Sequence, residues 1–203
     1  MKLVTVPRGR LHQAVAVLCD AFSDYPVMRY VLGWPHDQYD AHLVKMIDFF
    51  TLTRFLNQDV VLGVEGADGS LGAVANITRP GSEAAPEVAA LREALWREVG
   101  IGARERYEEL GRLWQPLGIS EPHFHLNMIG SARSLRGEGA ARLLLDELHT
   151  MSAIHADSCG VTLTTDEPGN VSLYQHFGYR LTGEVDVPGA FRTWGFFRAD
   201  SNV

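Results

Sequence analysis

Leu135-Arg136-Gly137-Glu138-Gly139-Ala140-Ala141-Arg142-Leu143-Leu144 follows a strand-like stretch and opens a helix-like one. Glycines at 137 and 139 take side chains out of the turn, so backbone N–H groups can approach a ligand closely. The start of the helix adds unpaired donors and a partial positive charge. Such a turn is a phosphate cradle, and Arg136 can add a side-chain contact. A glycine-rich turn that merely starts a helix would read the same way. Two other phosphate loops do not fit: no Gly-Lys-Ser/Thr is present, and the third glycine of the dinucleotide fingerprint is missing.

Downstream of the turn, Ala141–Met151 predicts an amphipathic helix and Val161–Thr165 a short buried strand. Val171–His176 reads as a brief helix, and Tyr179–Val187 and Arg192–Arg198 as the last two strands. Upstream, His123–Gly130 is a strand. Leu3–Val6 is a first strand, and Leu11, Val15, Leu18 and Phe22 repeat at helical spacing. The segment Val27–Trp34 is apolar and aromatic. Leu43, Met46, Ile47 and Phe50 share one face of a second helix. Val60–Val64 and Leu71–Thr78, joined across Asp68-Gly69, predict a hairpin. Two further helices fill an insertion at about 84–118, marked by Val88, Leu91 and Leu95 and then by Tyr107, Leu110 and Trp114. The order β-α-α-β-β-(α-α)-β-α-β-α-β-β is a mixed α/β domain, read as one unit over 1–203.

The 203 residues are enough for one full hydrophobic core. A formal net charge of -7 and the lack of any basic run argue against a general nucleic-acid binder. No apolar stretch approaches the roughly 20 residues of a spanning helix. Cys19 and Cys159 form no CxxC pair, which predicts a reduced, cytoplasmic setting. His123 and His125 lack a third ligand at suitable spacing, so no metal is expected.

Arg136-Gly137-Glu138-Gly139-Ala140-Ala141 resembles the acyl-coenzyme A signature Gln/Arg-x-x-Gly-x-Gly/Ala of the GNAT superfamily of N-acetyltransferases. Thr165–Tyr179, with Asn170, Tyr174 and Phe177-Gly178-Tyr179, resembles the later motif of the same family. Ala21–Pro26, the helical insertion and Arg192-Thr193-Trp194 resemble its puromycin N-acetyltransferase-like branch. The resemblance implies a GNAT-like acyl-CoA N-acyltransferase fold: a mixed twisted central sheet flanked by helices, whose fourth and fifth strands splay to admit the pantetheine arm. It implies acetyl-CoA as co-substrate, with pantetheine amides paired to the backbone of Ile129, Gly130 and Ser131. The pyrophosphate would lie on N–H groups of Arg136, Gly137, Glu138, Gly139, Ala140 and Ala141. The sequence departs from the family where Arg133 replaces a turn proline and where Thr164 stands at a frequent carboxylate position.

Acyl transfer to an amine requires a deprotonated amine, a polarised carbonyl and a protonated leaving thiolate. By position in the motif, Tyr174 is the expected acid, while a core tyrosine is the plainer reading. Asn170 would bind the cofactor or cap the helix after it. His123 and His125 alternate with Phe124 and so share a face. That makes His125 the candidate base if the face is the substrate's, with Glu121 behind it. Asp24, Tyr25, Tyr30 and Trp34 are the candidate acceptor residues, because aromatic and acidic groups suit a cationic amine. The expected activity is acetyl-CoA-dependent N-acetylation of a small primary amine by direct transfer, in a monomer or homodimer. The alternatives are a non-catalytic acyl-CoA-binding sensor of the same fold, or an acyltransferase with another acyl group or acceptor.

Overall fold

The computed structural model describes residues 1–135 and 137–200. Its strands are β1 (Lys2–Thr5), β2 (Val60–Glu65), β3 (Leu71–Thr78), β4 (Phe124–Ser131), β5 (Gly160–Thr165), β6 (Arg180–Val187) and β7 (Phe191–Ala199). They form one seven-stranded sheet in the order β1-β2-β3-β4-β5-β7-β6. β4 and β5 are parallel and every other neighbouring pair is antiparallel, which is the mixed sheet the resemblance implies. The helices are α1 (Leu11–Phe22), α2 (Pro26–Leu32), α3 (Tyr39–Leu56), α4 (Pro86–Val99), α5 (Ile101–Trp114), α6 (Ala140–Ala153) and α7 (Gly169–His176).

α2 is an addition to the sequence reading. Pro26 stands at its first position, where a fixed φ favours the helix and the missing N–H costs nothing. Met28, Val31 and Leu32 then turn inward, too few residues to show a period in the sequence. The longer helices follow their apolar faces. α1 buries Ala14, Val15, Val17, Leu18 and Phe22, and α6 buries Ala140, Leu144, Leu145 and Leu148. They cover opposite faces of the sheet. One core joins α1 and α3 to Val61, Val74 and Met128, and the other joins α6 to Val60, Leu62, Phe124, Leu126, Val161 and Leu163.

Two irregularities of β4 position the site. The β3–β4 ladder pairs Asn76 with Met128 but Ile77 with Leu126, leaving Asn127 as an extra residue. This β-bulge reverses the alternation, so Phe124 and Leu126 face α6 whereas Met128 faces α1 and α3. Gly130 then meets α1 so closely that a Cβ there would lie 2.5 Å from the Cβ of Ala21. The second irregularity is the end of the β4–β5 pairing. Phe124, Leu126 and the residue between them face Val161–Leu163, and no pair follows, although β4 stays paired to β3 as far as Ser131. The fourth and fifth strands therefore part, as the resemblance implies.

Candidate active site

A cavity of about 430 Å³ opens where β4 and β5 diverge. Its apolar wall includes Phe22, Val27, Met28, Val31 and Phe50, from α1, α2 and α3. Its polar lining comes from Tyr25, Arg54, His123, His125, Asn127, Thr162, Thr164, Asp166, Asn170 and Tyr174.

Tyr174 reaches this cavity from α7. Its ring packs on Tyr179 and Phe196, each with centroids 5.8 Å away, and it is 6% exposed. Its hydroxyl makes no hydrogen bond among the described residues and is not a sealed, orphaned group. Burial raises its pKa to about 12, so it is a neutral donor across the physiological range.

His123 and His125 both line the cavity, as their alternation predicts. His125 Nδ1 lies 2.8 Å from Thr162 Oγ1, and His123 Nδ1 lies 2.6 Å from the Glu121 carbonyl oxygen. Burial, reinforced by the nearby His123 and Arg54, lowers the His125 pKa to about 4. Desolvation disfavours the imidazolium, so the candidate base of the sequence analysis is held as a neutral ring and is a poor proton acceptor. Glu121 is exposed and lies outside the lining.

Of the four candidate acceptor residues, only Tyr25 lines the cavity. Its hydroxyl lies 3.0 Å from Thr165 Oγ1 and accepts the Asp166 backbone N–H at 3.0 Å. Asp24 instead pairs with Arg29 at 2.6 Å, its side chain 76% exposed. Trp34 is exposed beneath the Arg29 guanidinium, and Tyr30 donates to Glu109 at the surface. Surface contacts hold these three away from the cavity: Arg29 takes Asp24 and covers Trp34, and Glu109 takes Tyr30.

The residue missed in the sequence is Asp166. It is 6% exposed and is the carboxylate among the described lining residues. Thr193 donates to its Oδ1 at 2.5 Å, and Trp114 Nε1 donates to Thr193 Oγ1 at 3.0 Å. Burial raises its pKa to about 7, against the lowering pull of the Thr193 hydrogen bond. Thr162, Thr164 and Asp166 alternate toward the cavity, although β5 itself ends at Thr165, as the sequence predicts. Asn170 does not cap α7. It sits within the helix and donates its Nδ2 to Thr165 Oγ1 at 3.1 Å.

On the co-substrate side, the β4 edge beyond Leu126 has no β5 partner, so the backbone groups of Ile129 and Ser131 face the gap, whereas those of Gly130 differ from the expectation by turning to Val74 of β3. Gly137 and Gly139 have φ of 84° and 83°, and a Cβ at either would meet nothing within 4 Å. α6 has no side-chain cap, and among the described residues no loop or turn carbonyl accepts from the N–H groups of Ala140 and Ala141, which leaves them to an anion. Glu138 differs from its expected role, because its N–H is spent closing the turn onto the Leu135 carbonyl at 3.2 Å. Arg136 lies outside the described residues. Arg133, which stands where the family has a turn proline, is tied down instead: its backbone N–H and Nε bind the Asp20 carboxylate at 3.0 and 3.3 Å. The open cradle and free strand edge fit a pantetheine-linked diphosphate. Among the described residues, no cluster of three metal-ligating side chains occurs and no helix is long and apolar enough to cross a membrane.

No family model matches the chain. Solved structures do. One described as histone acetyltransferase HPA2 and related acetyltransferase from Corynebacterium glutamicum superposes with a TM-score of 0.71 at 16% identity, covering 100% of this chain and 97% of its own. An agmatine N-acetyltransferase gives 0.65 at 14% identity, covering 98% of both chains. An arylalkylamine N-acetyltransferase from Aedes aegypti gives 0.60 at 13%, covering 98% of this chain and 99% of its own. With its parted β4 and β5 and its glycine turn at the head of α6, this chain has the fold of the GNAT acetyltransferases.

Proposed function

We infer that the protein is an acetyl-CoA-dependent N-acetyltransferase, acting on the primary amine of a small molecule by direct transfer in a ternary complex. The observation that carries this reading is the meeting of two features at one gap: the unpaired β4 edge and the free Tyr174 hydroxyl border the same parted strands, and the open glycine turn follows β4 in the chain. Acetyl-CoA supplies the activated acetyl group. Ile129 and Ser131 hold the pantetheine arm through their backbone, and Gly137, Gly139, Ala140 and Ala141 hold the pyrophosphate.

Tyr174 returns a proton to the departing sulfur. With a pKa raised to about 12 it keeps its proton until a thiolate forms beside it. The same low-dielectric surroundings raise the basicity of that thiolate, so the two remain comparable. The Ser131 N–H is placed to polarise the thioester carbonyl. His125, neutral at physiological pH, shapes the acceptor wall and presents its imidazole as a hydrogen-bond partner.

The acceptor enters the cavity lined by Phe22, Val27, Met28 and Phe50, which suits an amine carried on a hydrocarbon or aryl chain. Structural neighbours bear the names of agmatine, polyamine and arylalkylamine acetyltransferases. The puromycin N-acetyltransferase-like branch, one catalytic domain over 1–203 and a cytoplasmic setting complete the reading. It is tested by incubating the protein with acetyl-CoA and agmatine, spermidine or 2-phenylethylamine, then following free thiol. Amine-dependent thiol release supports it. An acetyl-CoA-induced rise in melting temperature with no release for any amine would favour the sensor.

A further inference from the structure

The geometry points to Asp166 as the catalytic base, the group that takes the first proton from the acceptor's ammonium. This rests on the acetyltransferase reading and supplies the carboxylate missing at Thr164. Asp166 follows Thr162 and Thr164 on the cavity face of β5 and its extension. It stands next to Tyr25, whose hydroxyl accepts its backbone N–H. The carboxylate is fixed on one side only: Oδ1 takes the Thr193 hydroxyl, which is itself oriented by Trp114. Oδ2 accepts no hydrogen bond among the described residues and is not sealed from solvent. One oxygen is thus held and the other is open to the cavity.

The surroundings favour a proton or a cation at that oxygen. Burial holds Asp166 at about 7, while the other protein charges are few. Glu167 adjoins it in the chain, and Tyr25 faces it from the start of α2. Tyr174 on α7 is a neutral phenol, and α5 and β7 present the uncharged Trp114 and Thr193. Arg54, His123 and His125 line the same cavity, and Arg54 is engaged by Asp59 at 3.2 Å. An alkylammonium is therefore met by one desolvated carboxylate.

The proton balance closes. R–NH3⁺ gives one proton to the Asp166 carboxylate, leaving R–NH2 and a neutral carboxylic acid. The amine nitrogen forms the C–N bond as the C–S bond breaks. The nitrogen loses a second proton, Tyr174 passes one to the sulfur and regains one, and Asp166 releases its proton to solvent. The products are the amide, the free thiol and one H⁺.

The test is the pH profile of kcat/KM, read by thiol release with acetyl-CoA and either benzylamine or 2-phenylethylamine. Wild type should lose activity below about 7, at the same pH for both amines, because the limb belongs to the protein. Asp166→Asn, which keeps an oxygen for Thr193, should lower kcat/KM at pH 8 by roughly 10²-fold and abolish the limb, with the acetyl-CoA-induced melting shift retained. Thr193→Val gives a second, independent reading. Loss of the hydrogen bond raises the Asp166 pKa, so the limb should move upward. A limb unchanged in either variant, or one that follows the amine, overturns the assignment of Asp166 alone. No thiol release from wild type would instead overturn the acetyltransferase reading, and this inference with it.

Discussion

Thr193 on β7 and Asp166 just beyond β5 are joined by a 2.5 Å hydrogen bond, and Trp114 of α5 donates to the same threonine at 3.0 Å. The helical insertion is thereby tied to the cavity. Arg192-Thr193-Trp194, noticed in the sequence only as a resemblance, contributes the residue that orients a buried carboxylate.

That carboxylate makes stability depend on pH in a defined direction. Its folded pKa of about 7 lies above the usual carboxylate value, so the native state holds a proton that the unfolded chain has lost. The favourable contribution is complete below about 4 and disappears as pH rises through 7, at about 1.4 kcal/mol per pH unit. Melting curves of wild type and Asp166→Asn between pH 5 and 8 check this. The variant should gain on wild type steadily as pH rises to 7, with the gap constant above.

Tyr174→Phe should lower kcat by roughly 10²-fold, the lower end for general acid catalysis, with little change in acetyl-CoA affinity. The hydroxyl has no partner among the described residues, so its removal leaves no orphan and the melting temperature should stay close to that of wild type. Full activity in this variant would assign thiolate protonation to another group or to solvent.

The turn at Gly139 should separate anion binding from folding. A Cβ there meets open space, so Gly139→Ala adds mainly backbone strain at φ 83°, about 1 kcal/mol. It should keep most of the melting shift that acetyl-CoA produces. Gly139→Asp adds negative charge where the pyrophosphate would lie and should abolish that shift. An equal shift in both variants would place the cofactor elsewhere.

His125 should be silent near neutrality. Burial holds its pKa at about 4, so it is already neutral where Asp166 titrates. His125→Ala should reduce activity by disturbing the cavity wall and its Thr162 contact, yet leave the acid limb near 7 in place. Loss of that limb in His125→Ala would return the proton-accepting role to the histidine.

Much of this architecture is legible in local patterns. The hairpin of β2 and β3, the apolar faces of α1 and α6 and the glycine turn each depend on neighbouring residues. Their signals therefore survive in one dimension. The cavity depends on longer-range facts. The extra residue at Asn127 switches which β4 side chains face α1, and nothing in the strand-like run His123–Gly130 announces it. α2 itself is too short, at seven residues set off by Pro26, to show its period, and the surface partners of Asp24, Tyr30 and Trp34 are set by its fold and not by local pattern. Asp166 was hidden by a boundary. The β pattern ends at Thr165, but the alternation of Thr162 and Thr164 carries on to the aspartate. Its burial comes from Tyr25 and Thr193, far away in sequence.

The central claim is direct acetyl transfer to an amine, and deuterium-labelled acetyl-CoA tests it most directly. The protein is mixed with the labelled thioester, with and without 2-phenylethylamine, and both the amide and the intact protein are weighed by mass spectrometry. The account predicts labelled N-acetyl-2-phenylethylamine in amounts equal to the thiol released, formed only when both substrates are present, with no label on the protein. Label retained on the protein, or no labelled amide while acetyl-CoA still raises the melting temperature, would contradict it.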